Sequence, residues 1–127
     1  MKKILVLLFL LTAVVMGTQS AKAIKFEEGI TQSKPLAVIV YAPWADGQEE
    51  MLRVFNMMEQ RYADSYNFAR VNIATEEAKS FNKRFYIYPN IPYVLLFRTN
   101  GKVSRYLKQD CVMNETCFAE RLDMFNN

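Results

Sequence analysis

Few side chains in this sequence can do redox or nucleophilic chemistry. The thiols are Cys111 and Cys117, in a C-x5-C spacing, and there is no histidine. Without histidine the chain can build neither a Ser-His-Asp or Cys-His catalytic unit nor a His-ligated metal site. Carboxylates come in the pairs Glu49-Glu50 and Glu76-Glu77. Adjacent acids on a helix point to different sides, so these pairs suit the positive end of a helix dipole rather than a shared proton transfer. The glycines beyond the first turns of the chain are Gly29, Gly47 and Gly101, too scattered for a phosphate-cradling loop. The residues themselves therefore give no catalytic constellation, no metal site and no cofactor.

What the two cysteines do depends on where the chain resides. Met1-Lys2-Lys3 is a short basic start, Ile4 to Met16 is apolar apart from Thr12, and Ala21-Lys22-Ala23 is an A-x-A cleavage pattern. This layout predicts a signal peptide over residues 1–23, with an apolar run of about 13 residues where a membrane span needs roughly 20. Its lysine-led start is of bacterial type, so the expected location is periplasmic or secreted. Three of the sixteen basic residues (Lys2, Lys3, Lys22) belong to this leader, and the remainder balances the thirteen acids. A neutral domain over residues 24–127 has little electrostatic reason to bind nucleic acid or an anionic membrane. In an oxidising compartment Cys111 and Cys117 are expected to bond to each other, pinning the last helix and contributing about 2–3 kcal/mol. A relocated redox pair is the competing role. Asn114-Glu115-Thr116 is a glycosylation sequon, relevant only where the source has an endoplasmic reticulum.

The elements follow from periodicity. Leu36 to Tyr41 is apolar on both faces, as in a strand at the centre of a covered sheet. From Gly47 the period changes: Met51, Phe55, Met58 and Tyr62 form one stripe of a helix of about 18 residues. Asp46 before this helix and Glu49 three residues later resemble a capping box. Met51 and Met58 read as core filling, although a Met-rich helix with Met57 can also serve as an adaptable surface. Phe68 to Ile73 is a second strand, so strand–helix–strand implies a parallel pair. Thr75 caps a helix carrying Ala78, Phe81 and Phe85, and Tyr86 to Asn90 is irregular. Tyr93 to Phe97 and Lys102 to Leu107 make a hairpin around Thr99-Asn100-Gly101. A last helix, Thr116 to Phe125, places Phe118, Leu122 and Phe125 on one face.

At Val40-Tyr41-Ala42-Pro43-Trp44 the chain resembles the thioredoxin superfamily, in particular the Y-A-P-W segment of protein disulfide isomerase domains. Ile91-Pro92-Tyr93, followed by Val94-Leu95-Leu96-Phe97, resembles that family's cis-proline loop and next strand. The resemblance covers about Lys34 to Phe125. It implies a thioredoxin-like α/β fold, a mixed central sheet flanked by helices, with the Ile91–Pro92 bond cis. In the family a C-x-x-C follows the tryptophan; here Ala45-Asp46-Gly47-Gln48 stands there. Ala45 matches the nucleophile and Gln48 the resolving cysteine, and neither can exchange disulfides. Ile39 matches the family's buried acid, which without a thiol to deprotonate has only a desolvation cost.

What the resemblance leaves is a recognition surface of Pro43, Trp44, Ile91, Pro92 and Tyr93, suited to an extended segment that adds as a strand. The expected function is thus an exported, redox-inactive, thioredoxin-like module that binds an unidentified protein or peptide as an adaptor or chaperone. Two other classes stay open. One is a thiol–disulfide oxidoreductase using Cys111 and Cys117 or a partner's thiols; the other is a structural subunit of an envelope assembly.

Overall fold

A computed structural model describes residues 24–85, 87–98, 101 and 103–126. The expected signal peptide over residues 1–23, Tyr86, Thr99 and Asn100 of the expected hairpin turn, Lys102 and Asn127 lie outside the described residues. The chain runs α1 (Phe26–Gly29), β1 (Leu36–Tyr41), α2 (Gln48–Tyr62), β2 (Asn67–Asn72), α3 (Glu76–Arg84), β3 (Tyr93–Phe97), β4 (Val103–Leu107), α4 (Gln109–Val112) and α5 (Glu115–Asn126). The strands form one mixed sheet in the order β2-β1-β3-β4. β1 pairs with β2 in parallel and with β3 antiparallel, and β3 pairs with β4 antiparallel.

Alternation along β1 explains why its apolar run is unbroken. Ala37 and Ile39 face a core made with Met51, Phe55 and Met58 of α2 and Phe118, Leu122 and Phe125 of α5. Leu36, Val38 and Val40 face a second core with Phe26 of α1 and Ala78 and Phe81 of α3. Both sides of the strand are covered, so a polar residue at any interior position of β1 would lose its hydration. The lead-in before β1 holds more structure than its sequence announces. Phe26 is fully buried, and its ring meets Phe81 edge-on at 4.9 Å. Ile24 makes an isolated parallel bridge to Ala69, partly covering the free edge of β2.

Two expectations at helix starts need correction. Asp46 does not cap α2: the cap position is Gly47, in the left-handed region at φ 79°, and no side chain bonds the exposed N–H groups. A left-handed residue there turns the preceding side chain away from the helix end, and only glycine adopts it without strain. Asp46 is left exposed on the loop. Thr75 does occupy the cap position of α3, but its hydroxyl donates back to the Asn72 carbonyl at 2.7 Å instead of accepting from the helix. Asn114, by contrast, accepts from the Cys117 N–H at 3.0 Å and so caps α5 in the usual way.

α5 is tied to the sheet by Tyr66, whose buried hydroxyl donates to the Leu122 carbonyl at 2.7 Å. Burial, reinforced by the charge of Asp123, pushes the Tyr66 hydroxyl well above the usual phenol range. The unfolded chain therefore releases this proton first, near pH 10, and above that pH the folded state is progressively disfavoured. Tyr66→Phe is expected to lower stability at pH 7 by about 1 kcal/mol. It should also make the loss of stability above about pH 10 shallower, as read by urea unfolding across the alkaline range.

Candidate functional site

The antiparallel register of β1 and β3 builds the site. Val40 pairs with Tyr93, so the chain leaves β1 at Tyr41 beside the point where it enters β3. The segment Ala42–Gly47 and the segment Ile91–Pro92 thus emerge at the same end of neighbouring central strands. The Ile91–Pro92 peptide bond is cis.

The first segment is a loop with a buried foot and an exposed tip. Ala42 is fully buried, whereas Trp44 is 67% exposed, the most exposed of the large apolar side chains among the described residues. Ala45 donates its N–H to the Ala42 carbonyl at 3.1 Å, closing a tight turn around Pro43-Trp44. Gln48 then closes the loop from the helix side, its side-chain amide donating to the Pro43 carbonyl at 3.3 Å. Gln48 therefore braces the loop. Pro43, Trp44 and the Ala45–Gln48 run line one shallow depression together with Arg53. Arg53 forks onto Glu50 at 2.6 and 3.1 Å and holds that carboxyl below the usual range. Glu50 and Arg53 therefore meet the depression as a neutral ion pair.

Beneath this end, Ile39 is fully buried and stands opposite Arg70 of β2. The Arg70 guanidinium turns to Glu59 of α2, at 2.7 Å, and to Asn56, and it lies over the Phe55 ring at 5.2 Å. No carboxylate occupies the strand position that Ile39 fills.

The second segment differs in part from its expectation. Ile91 is half-buried, but Pro92 is buried and Tyr93 is fully buried, so neither offers a contact face. The reason is the alternation of β3: Tyr93 lies with Leu95 and Phe97 on the α1–α3 side of the sheet. Its ring packs against Tyr106 at 5.1 Å and Tyr88 at 5.4 Å, and its hydroxyl accepts from the Tyr88 N–H at 3.1 Å. Tyr93 therefore supports the cis-proline loop from below. Burial, with the neighbouring Tyr88 adding to it, pushes the Tyr106 hydroxyl up.

Tyr88 and Tyr106 are the residues that sequence reasoning missed. With Pro89, Ile91, Asp110 and Met113 they line a groove of about 910 Å³ beside the cis bond. Tyr106 had a readable signal, since it pairs with Leu95 across the predicted hairpin. Met113 had none, because it follows a four-residue helix too short to show a period. Cys111 and Cys117 are bonded to each other, with 5.2 Å between their Cα atoms, and join α4 to α5. They belong to a different depression, with Arg105, Lys108 and Arg121. Among the described residues no three Cys, Asp or Glu side chains cluster as metal ligands would, and no helix is long and apolar enough to cross a membrane.

Comparison with known proteins identifies the architecture. Thioredoxin from Malassezia sympodialis superposes with a TM-score of 0.66 at 14% identity, covering 80% of this chain and 84% of that one. Mitochondrial thioredoxin 3 from Saccharomyces cerevisiae, in its oxidised form, gives 0.62 at 18% identity, covering 78% and 86%. In sequence, the thioredoxin-like protein HCF164 of Arabidopsis thaliana chloroplasts is 33% identical over 54 residues, 42% of this chain. The match spans 21% of that relative. No family model matches. The fold is thioredoxin-like, a mixed four-stranded sheet with flanking helices.

If Ala45 stands at the nucleophile position of that fold, Ala45→Cys with Gln48→Cys should place the first thiol beside the α2 N-terminus. Its pKa is then expected below the free value of about 8.5, although Asp46 and the neighbouring glutamates blunt the shift. Thiolate absorbance against pH reads it, with weak disulfide exchange expected alongside. A thiol titrating as a free one would remove Ala45 from that position.

Proposed function

We propose that this chain is an exported, redox-inactive thioredoxin-like domain that binds an extended segment of a partner protein. One observation carries this most directly. Trp44 is 67% exposed at the strand end shared with the cis Ile91–Pro92 bond, while the positions that follow it bear no thiol. A solvated tryptophan has a hydrophobic cost that a binding partner removes, and aromatic side chains of this kind dominate interface energetics. Pro43, Trp44 and Ile91 provide the contacts, with Pro92 and Tyr93 as the support that holds them.

The fold is shared with thioredoxins, which places the burden on Ala45, Gln48 and Ile39. Thiolate chemistry needs a sulfur at the helix end and a group to take its proton, and these three side chains supply neither. Gln48 instead braces the loop, and Ile39 fills the core. Export is supported by the basic, apolar and A-x-A succession of residues 1–23, which directs the domain to the periplasm or beyond the cell.

The test uses reduced, carboxymethylated ribonuclease A, an unfolded polypeptide with no thiol to exchange. The protein should bind it, and Trp44→Ala should weaken binding about tenfold or more, with Ile91→Ala next. In a separate assay it should not accelerate reduction of insulin disulfides by dithiothreitol. Turnover that disappears on replacing Cys111 or Cys117 would establish an oxidoreductase acting through that pair. Absence of any polypeptide binding would favour a structural subunit.

A further inference from the structure

One wall of the groove beside the cis bond is weakly built. The opposite wall is the Tyr88–Ile91 segment, held by the stack of Tyr88, Tyr93 and Tyr106 rings. The facing wall is Lys108, Gln109, Asp110 and Met113, which belong to α4 and its two flanks. α4 has four residues, far fewer than a helix needs to persist on its own, and no side chain caps its start. Its backbone bonds run from the N–H groups of Val112, Met113 and Asn114 to the carbonyls of Lys108, Gln109 and Cys111. Within it the Asp110 carboxylate also accepts the Cys111 N–H at 3.0 Å, and among the described residues the buried side chain of Val112 and the Cys111–Cys117 bond fasten it to the rest of the fold. α5 itself is anchored by Phe118, Leu122 and Phe125 in the core, so the disulfide connects a marginal element to a firm one.

That bond is also open to attack. Both cysteines line an outward depression together with Arg105, Lys108 and Arg121, against the lone carboxylate of Asp110. Cys117 is the third residue of the twelve-residue α5, and its N–H is taken by Asn114. Cationic neighbours and a helix N-terminus both stabilise a thiolate, and the sulfur whose thiolate is better stabilised leaves faster in exchange.

From this arrangement we infer that Cys111–Cys117 is a redox-sensitive latch on the α4 wall, reduced by a dithiol and controlling the shape of the groove. The thiolate of the dithiol attacks the Cys111 sulfur. The Cys111–Cys117 bond breaks, and its electron pair leaves on Cys117. The second thiol of the dithiol, having given up its proton, attacks the mixed disulfide, frees Cys111 and departs as a cyclic disulfide. Two electrons pass from the dithiol to the pair, and two protons end on Cys111 and Cys117. Among the described residues, α4 then keeps Val112 as its side-chain anchor in the core, and the Asp110–Met113 wall loosens. The latch rests on the binding function proposed above only for its consequence, a change in affinity where the groove meets the proposed contact surface at Ile91.

Hydrogen exchange of the whole protein tests the latch without any ligand. It compares the oxidised form, the form reduced with dithiothreitol, and the variant Cys111→Ser with Cys117→Ser. The Val112, Met113 and Asn114 amides should exchange at least tenfold faster in the last two, while β1 and β3 keep their protection. Equal exchange in all three, or loss shared equally by β1 and β3, would overturn the latch, the second outcome marking a disulfide that stabilises the whole domain. Carboxymethylated ribonuclease A is then titrated into the oxidised and the variant protein, with several-fold weaker binding expected for the variant. Equal binding by both overturns control of the groove and leaves the binding function standing. Binding by neither overturns the binding function, and the amide exchange still decides the latch.

Discussion

The antiparallel ladder between β1 and β3 is the constraint from which the rest of the molecule follows. Its register sets Val40 against Tyr93 and so brings the exit of one central strand beside the entry of the other. Two sequence-distant loops become neighbours, one carrying Trp44 and the other the cis Ile91–Pro92 bond. The ladder can sit at the centre of the sheet because both faces of β1 are sealed by separate cores, one under α2 and α5 and the other under α1 and α3. A shift of the pairing by one residue would send Ile39 and Val40 to opposite cores and separate the loops from their supports.

Gln48 bonds across the loop to Pro43, and Arg70, opposite Ile39, is drawn to Glu59 of α2. The Gln48 amide nitrogen and Arg70 Nη2 have structural partners, whereas Gln48 Oε1 and Arg70 Nη1 are buried without one. An apolar Ile39 avoids the desolvation cost a carboxylate would meet there. Trp44 is an apolar side chain left in solvent on a well-braced loop. Preorganised loops of this kind lose little freedom on binding, which favours a recognition role.

Much of the fold was legible because its signals are long. The two-faced run Leu36–Tyr41, the Met51–Phe55–Met58 stripe and the Phe118–Leu122–Phe125 stripe are all confirmed as core. The cis bond was legible only through resemblance to a family, since nothing local to Ile91-Pro92 demands it. What escaped was short or depended on facing. α4 has four residues and no period; Gly47 displaced Asp46 from the cap by a left-handed turn invisible in composition. Tyr93 was expected at the surface, yet the alternation shared with Leu95 and Phe97 buries it. Sequence identifies a strand more readily than which of its faces meets which layer.

On the proposed function, the two loops form one recognition surface that acts without thiol chemistry. Backbone and indole resonances of the oxidised protein, followed by NMR while the carboxymethylated polypeptide is titrated in, test it most directly. The account predicts that the Trp44 indole N–H and the amides of Ala45 and Ile91 shift together along one binding curve. The amides on the outer face of α5, around Glu120 and Asp123, should stay still. Shifts confined to α5, or separate curves for Trp44 and Ile91, would contradict it.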